Sequence, residues 1–236
     1  QGQAIVTRDH LGVVNAIAWS EKDRAYAEQI VVGLMKGKDA PAAVSGSGAT
    51  VRPEGGHTTS LVVLDRAGNV VVVNQTVNLN YGAKITLPGT GVILNNEMDD
   101  FSAQPGTPNA FGLVGSEANA IEAGKRPLSS MSPTIVVKGA KPVMALGGAG
   151  GPAIITAVLL VIVNVLDLGI DLPQAISSPR FHHQYLPDVL IVEKGSSFAR
   201  LSPEGLQGQA IVTRDHLGVV NAIAWSEKDR AYVGVS

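Results

Sequence analysis

Residues 1–26, QGQAIVTRDHLGVVNAIAWSEKDRAY, recur without a single change at 207–232. Two copies of one segment cannot both fill one slot in a sheet, so this identity constrains the fold more than any other feature. Repeats that stack into solenoids diverge in sequence and come in threes or more. A perfect pair at the two ends points instead to a recombined or engineered gene, or to an error of assembly. Each copy reads as strand, turn, strand: AIVTR, then Asp-His-Leu-Gly, then VVNAIAWS. One copy is expected in the native position and the other displaced, swapped or poorly packed.

The rest of the chain has the balance of a buried core. Apolar residues make up 45% and charged residues 16% of 236 positions, which argues against disorder. The formal net charge of -2 offers no basic field for nucleic acid or an anionic membrane. The chain has no cysteine, which excludes disulfides, thiol catalysis and cysteine metal sites but fixes no compartment. The N-terminus, Gln1-Gly2-Gln3-Ala4, is neither a Met start nor a signal peptide. The longest apolar stretch, Ala153 to Val163, is closed by Asn164 and Asp167. It is too short to span a bilayer and reads as a buried helix or strand.

Between the repeats, residues 27–37 (AEQIVVGLMKG) have helical spacing, and 38–57 read as an exposed Gly, Ala, Ser and Pro linker. Residues 58–78 form the clearest hairpin: TTSLVVLD, a turn at Arg66-Ala67-Gly68, then NVVVVNQTVN. A second β-rich block spans 133–148. A short helix is predicted from Pro173 to Ile176 and a strand at Leu190 to Val192. Strands lead and helices follow, so the fold is expected to be layered α+β. Four segments are predicted: the copy at 1–26, a helix and linker at 27–57, a core at 58–206, and the C-terminal strands at 207–236.

Several constellations could carry chemistry. A threonine hydroxyl is a poor nucleophile without an adjacent base, and an N-terminal threonine can use its own α-amino group. Thr58 follows a Gly-rich linker and begins a strand, where a self-cleaving precursor would break between His57 and Thr58. With Arg66–Gly68 as the loop, Thr58 faces Thr76, with side chains about 5 Å apart. Asn78 then falls on the same face as Thr76. A plain Thr–Thr pair at a solvated edge fits the same pattern. In Asn95-Asn96-Glu97-Met98-Asp99-Asp100-Phe101 the carboxylates could bind an ammonium or a hard cation, or form a solvated acidic turn. EF-hand spacing is absent. The loop Arg126-Pro127-Leu128-Ser129-Ser130-Met131-Ser132-Pro133 could hold a carboxylate, or do nothing. Gly147 to Gly151 could point backbone N–H groups into a site as an oxyanion hole needs, or serve as a flexible turn. It is neither a Walker loop nor a Rossmann fingerprint. The adjacent His182 and His183 would point to opposite faces of a strand and read as structural.

Taken together and in order, these segments resemble the small, catalytic subunit of the gamma-glutamyltransferases (gamma-glutamyltranspeptidases). The segments that carry the resemblance are TTSLVVLDRAGN, TVN, LNNEMDDFSAQPGTPN, GLVGSEANA, KRPLSSMSPTIVV, GGAGGPAIIT and SPRFHHQYLPD, spread over about 54 to 203. The resemblance implies a four-layer αββα N-terminal-nucleophile hydrolase (Ntn-hydrolase) sandwich, incomplete here because the large subunit is missing. It implies self-cleavage at His57–Thr58 and Thr58 as the nucleophile on a γ-glutamyl amide of glutathione or a similar donor. An amino acid, a peptide or water would accept the acyl group. Thr76 corresponds to the threonine that hydrogen-bonds the nucleophile and Asn78 to a substrate contact. Glu97 and Asp100 correspond to the pair holding the donor's α-ammonium, and Ser129 and Ser130 to the pair holding its α-carboxylate. Gly150 and Gly151 correspond to the oxyanion-hole amides. Residues 101–111, from Phe101 to Phe111, correspond to a lid with Phe111 as its aromatic gate. The implied partners are the donor, the acceptor and a large subunit in a heterodimer, with no cofactor, metal, nucleic acid or membrane. Family members are periplasmic or secreted.

The chain also departs from that family. The large subunit would supply an arginine that clamps the donor's carboxylate. Ser60 stands where a histidine is common, and Gly-Ala-Gly-Gly-Pro replaces Ser-Pro-Gly-Gly-Ser. After Pro203-Glu204-Gly205-Leu206 the family continues as a helix, whereas here the repeated strand begins. Two other readings stay open: an inert truncated or engineered fragment, and a β-lactam side-chain acylase of the same superfamily.

Overall fold

A computed structural model describes residues 57–197 and 210–236. The first copy of the repeat, the helix at 27–37, most of the linker and residues 198–209 lie outside the described residues. The strands are β1 (Thr58–Leu64), β2 (Val70–Thr76), β3 (Thr134–Lys138), β4 (Lys141–Ala149), β5 (Phe181–His182), β6 (Val189–Glu193), β7 (Ala210–Arg214), β8 (Val219–Ser226) and β9 (Ala231–Val235). Two α-helices, α1 (Ala153–Leu166) and α2 (Leu172–Ser177), lie between β4 and β5. The strands form a hairpin β1-β2, a four-stranded sheet β3-β4-β8-β9 and a three-stranded sheet β5-β6-β7.

The hairpin has the predicted register, with Thr58 opposite Thr76 and Leu64 opposite Val70. Its turn is locked by Asp65, whose carboxylate accepts from both the backbone and the side chain of Asn69. The even-numbered face of the hairpin packs on β4 and β8. Asn221 Nδ2 donates to the Ser60 carbonyl at 2.7 Å, and Asn74 Nδ2 donates to the Gly148 carbonyl at 2.5 Å. These two bonds tie hairpin and sheet together close to Thr58.

On its opposite face the four-stranded sheet carries α1 and α2. Met144, Leu146, Ile154, Val158, Val161 and Val220 form the centre of this core, each 3% exposed or less. The stretch 153–166 is therefore a helix. Apolar residues on nearly all sides give it no useful periodicity, so the sequence alone left strand and helix equivalent. Arg180 and Glu193 clip the three-stranded sheet to this body. The Glu193 carboxylate accepts from the backbone N–H groups of Arg180 and Leu217, and Arg180 donates to the Ile176 and Gly218 carbonyls.

The second copy of the repeat forms strand, turn, strand as read. Its two strands part company: β7 pairs parallel with β6, and β8 pairs with β4 and β9 in another sheet. The layers run helix, sheet, hairpin. The outer face of the hairpin stays open, with Leu61, Val63, Val71 and Val73 between 43% and 58% exposed. The described residues thus supply three of four layers.

Candidate active site

Strand β1 opens at Thr58, and its hydroxyl donates to Thr76 Oγ1 at 3.0 Å. Thr76 Oγ1 also accepts from the Asn78 backbone N–H at 2.9 Å. With both acceptor directions taken, the Thr76 proton points to the His57 carbonyl, 3.3 Å away. The oxygen of the bond between His57 and Thr58 is thus polarised by the residue that orients the Thr58 hydroxyl.

Asn78 reaches the site by a different route from the one its spacing predicts. It lies beyond β2 in a left-handed conformation at φ 71°. Its backbone N–H, not a strand-face side chain, meets Thr76, and its side chain donates to the Asn96 carbonyl. Asn96 returns the link by accepting from Leu79 N–H.

The acidic segment forms a 3-10 turn at Glu97–Asp100. Burial raises the Asp100 carboxyl first, and the Glu97 charge, the Glu97 hydrogen bond and Asp99 add to it, to about 7. Burial also raises Glu97, offset in part by its hydrogen bond to Asp100. Glu97 Oε1 is buried with no partner among the described residues. Folding raises Asp100 above its ordinary value of 3.8. The folded chain therefore holds a proton the unfolded chain gives up, and stability falls as pH rises from about 4 to about 7. Asp100→Asn is expected to flatten that slope in urea titrations run across the interval.

Asparagines hold the surrounding loops. Asn119 accepts from Leu128 N–H and donates to the Asp100 carbonyl. Asn109 donates to the Asp99 carbonyl, while Asp99 accepts from Ala110 N–H. The serine loop is therefore fastened to the acidic turn. The sequence pointed to the charged and hydroxyl side chains and passed over these asparagines; their signal was a loop rich in Asn without strand or helix periodicity.

Thr58, Thr76, Asn78, Asp100, Phe111, Ser129, Ser130 and Gly151 line one cleft, together with Met131, Pro152 and Ile154. Gly150 and Gly151 form the strand-to-helix turn with φ of 137° and 58°, a conformation that favours glycine. The cleft wall includes Gly151, Pro152 and Ile154 at the start of α1, where the helix dipole favours negative charge. Glu97, hydrogen-bonded to Asp100, is not a cleft-lining residue. Phe101 is buried at 6% exposure and is not a cleft-lining residue. Phe111 is: a Cβ built on Gly151 would lie 3.2 Å from its ring. His182 is buried, with its pKa lowered chiefly by burial, and bonds Thr156 and Gln184. His183 pairs with Asp188 at 3.0 Å.

Helices over a sheet over a hairpin, with a threonine opening the hairpin onto the cleft, is the arrangement of the N-terminal-nucleophile hydrolases. The sequence profile of the gamma-glutamyltranspeptidase family matches residues 12–236. The chain belongs to that family. It is 44% identical over 201 residues to the glutathione hydrolase proenzyme of Escherichia coli K12, covering 85% of this chain and 35% of that protein. The chain thus spans about a third of the length of the curated relatives it matches. It superposes on an acivicin-inhibited gamma-glutamyltranspeptidase with a TM-score of 0.68 at 49% identity, over 75% of this chain and 95% of the other. A Helicobacter pylori gamma-glutamyltranspeptidase mutant gives a TM-score of 0.69 at 49% identity, over 75% of this chain and 96% of the other. A cephalosporin acylase from Bacillus halodurans, at 20% identity, shares the fold alone.

Proposed function

We propose that this chain supplies the catalytic half of a γ-glutamyl transferase and hydrolase, acting after scission at His57–Thr58 and beside a large-subunit partner. The convergence of Thr58, Thr76, Asp100, Ser129, Ser130 and Gly151 on one cleft carries the reading.

In scission, Thr58 Oγ1 attacks the His57 carbonyl carbon while Thr76 donates to its oxygen. The peptide becomes an ester, and the hydroxyl proton ends on the Thr58 nitrogen. Water then hydrolyses the ester, leaving a carboxylate on His57 and restoring the Thr58 hydroxyl. The freed α-amino group, with an ordinary pKa of about 8, now serves as the base the hydroxyl lacked. In turnover Thr58 attacks the γ-carbonyl of a glutathione-like donor, and the leaving amine takes the proton. An amino acid, a peptide or water then accepts the glutamyl group. We assign the Gly150 and Gly151 amides, beside the start of α1, as donors to the developing oxyanion. Glu97 and Asp100 suit the α-ammonium of a glutamyl head, and Ser129 and Ser130 its α-carboxylate, with Asn78 beside them. Phe101 anchors and Phe111 caps the 101–111 lid over that head. Charge-assisted contacts of this kind contribute roughly 1.5–3 kcal/mol each. We place the work outside the cytoplasm, periplasmic or secreted, in line with the family. Among the described residues no helix is long and apolar enough to cross a membrane.

The test is intact mass and a denaturing gel on the chain with and without large subunit, together with turnover of a γ-glutamyl anilide. A cut before Thr58 and turnover in the paired sample are expected. A single intact band with no turnover would leave an inert fragment. A glutaryl donor used in preference to a glutamyl one would move the assignment to side-chain acylases.

The carboxyl pair sets a pH dependence. Binding an ammonium requires Asp100 ionised, and its carboxyl titrates at about 7 in the empty cleft. Donor KM is therefore expected to rise as pH falls below 7, with kcat less affected. Asp100→Asn should raise KM about tenfold at pH 8 and remove its change between pH 6 and 8. Steady-state kinetics across that interval decide it.

A further inference from the structure

We infer that His182 and Gln184 are positioning residues for the cleft, holding the Phe111 ring against Gly151 through the Phe111 carbonyl and so setting the width of the acyl-donor pocket. Neither residue lines the cleft, and the mechanism above uses neither.

The two donors of the Gln184 amide fix the direction of the links around it. Gln184 Nε2 donates to the carbonyls of Phe111 at 3.3 Å and Leu186 at 3.2 Å. Both amide hydrogens are then spent, so Gln184 Oε1 is the acceptor and His182 Nε2, 3.0 Å away, carries the proton. His182 Nδ1 then accepts from Thr156 Oγ1 at 2.9 Å, whose single proton is shared with the Ala153 carbonyl at 3.1 Å. Burial favours the neutral imidazole this requires. Thr156 belongs to the first turn of α1, which begins two residues after the cleft-lining Gly151. The chain of bonds runs from one wall of the cleft, behind it, to the other.

At the far end the Phe111 turn has no freedom to compensate. Phe111 N–H donates to Asn109 Oδ1 at 3.0 Å, and Ala110 N–H is held by Asp99. Gly112 turns at φ 78°, and a Cβ there would come 3.8 Å from Gln184 Nε2 and from Pro187. With its backbone gripped on both sides, the ring is held where a Cβ on Gly151 would come 3.2 Å from it. Loss of the Gln184 donors releases one grip and takes this donor from the Phe111 and Leu186 carbonyls.

The full chain contains four phenylalanines, so 4-fluorophenylalanine labelling gives four 19F resonances. The Phe111 line is assigned by its loss in Phe111→Leu. Gln184→Glu keeps the shape and removes both donors. The Phe111 line is expected to shift and broaden while the line of buried Phe101 stays. Gln184→Ala repeats the test if the glutamate disturbs the fold. An unmoved Phe111 line in a folded variant overturns the inference, and so does loss of all native lines in both, which would make the pair merely structural.

A kinetic arm rests on the γ-glutamyl reading. In the cleaved, paired enzyme Gln184→Glu should raise donor KM about tenfold with a smaller change in kcat. Combined with Phe111→Ala it should be no worse than Phe111→Ala alone; additive losses count against the pair. A wild-type enzyme without turnover sinks the γ-glutamyl reading and leaves the 19F result standing.

Discussion

Thr58→Ala is expected to leave the chain as one uncut band and to lower γ-glutamyl anilide turnover on the order of a millionfold in the paired enzyme, the scale seen when an acyl-transfer nucleophile is removed. The same hydroxyl is asked to act twice, once on the His57 carbonyl and once on the donor. Thr76 accepts its proton at 3.0 Å and donates to the His57 carbonyl at 3.3 Å. Thr76→Val keeps the shape and removes both bonds, so scission and turnover slow together, by about a hundredfold. Mass spectrometry of the purified chain reads the first effect, and anilide release reads the second. A Thr58→Ala chain that still breaks before residue 58 would remove this threonine from the chemistry.

Gly147→Val is expected to destabilise the fold by about 3 kcal/mol. Gly147 lies in β4 opposite Asn221, on the face that receives the hairpin. A Cβ there would overlap Ser60 Oγ and come 2.6 Å from Asn74 Oδ1. Both atoms are already buried without a hydrogen-bond partner among the described residues. The two layers touch at this point with nothing between them, so a side chain can be admitted only by lifting the hairpin. Lifting it breaks the bonds from Asn74 to the Gly148 carbonyl and from Asn221 to the Ser60 carbonyl, and moves Thr58 away from Gly151. Urea unfolding should show the loss, with Gly147→Ala intermediate. Unchanged stability in the valine variant would show that the layers are further apart than the structure has them.

The hairpin was legible in the sequence because one short turn fixes its register, and two β-rich runs leave no other pairing. Asp100, Ser129 and Ser130 were legible as residue types, while their meeting in one cleft was not. Nothing periodic encodes it: side chains of Asn96, Asn109 and Asn119 hold the loops by bonds to distant backbone. Asn78 shows the limit of strand spacing, which put its side chain beside Thr76. The chain turns left-handed first and uses the backbone instead. The parting of β7 and β8 was hidden for a related reason. Asp215 to Gly218 reads as a hairpin turn, but Leu217 is buried at 2% exposure and its N–H is captured by Glu193. A long-range carboxylate, not local turn chemistry, sends the two strands to different sheets.

Strand β8 occupies the middle of the sheet under Thr58 and bonds the Ser60 carbonyl across 161 residues of sequence. While this chain is being synthesised, the ribosome delivers Thr58 long before the strand that supports it. Until residues 219–226 leave the exit tunnel, β4 has no β8 partner and the Ser60 carbonyl lacks its Asn221 donor. For the scission proposed above, the order of translation would act as a timer, holding back the break until β8 has been made.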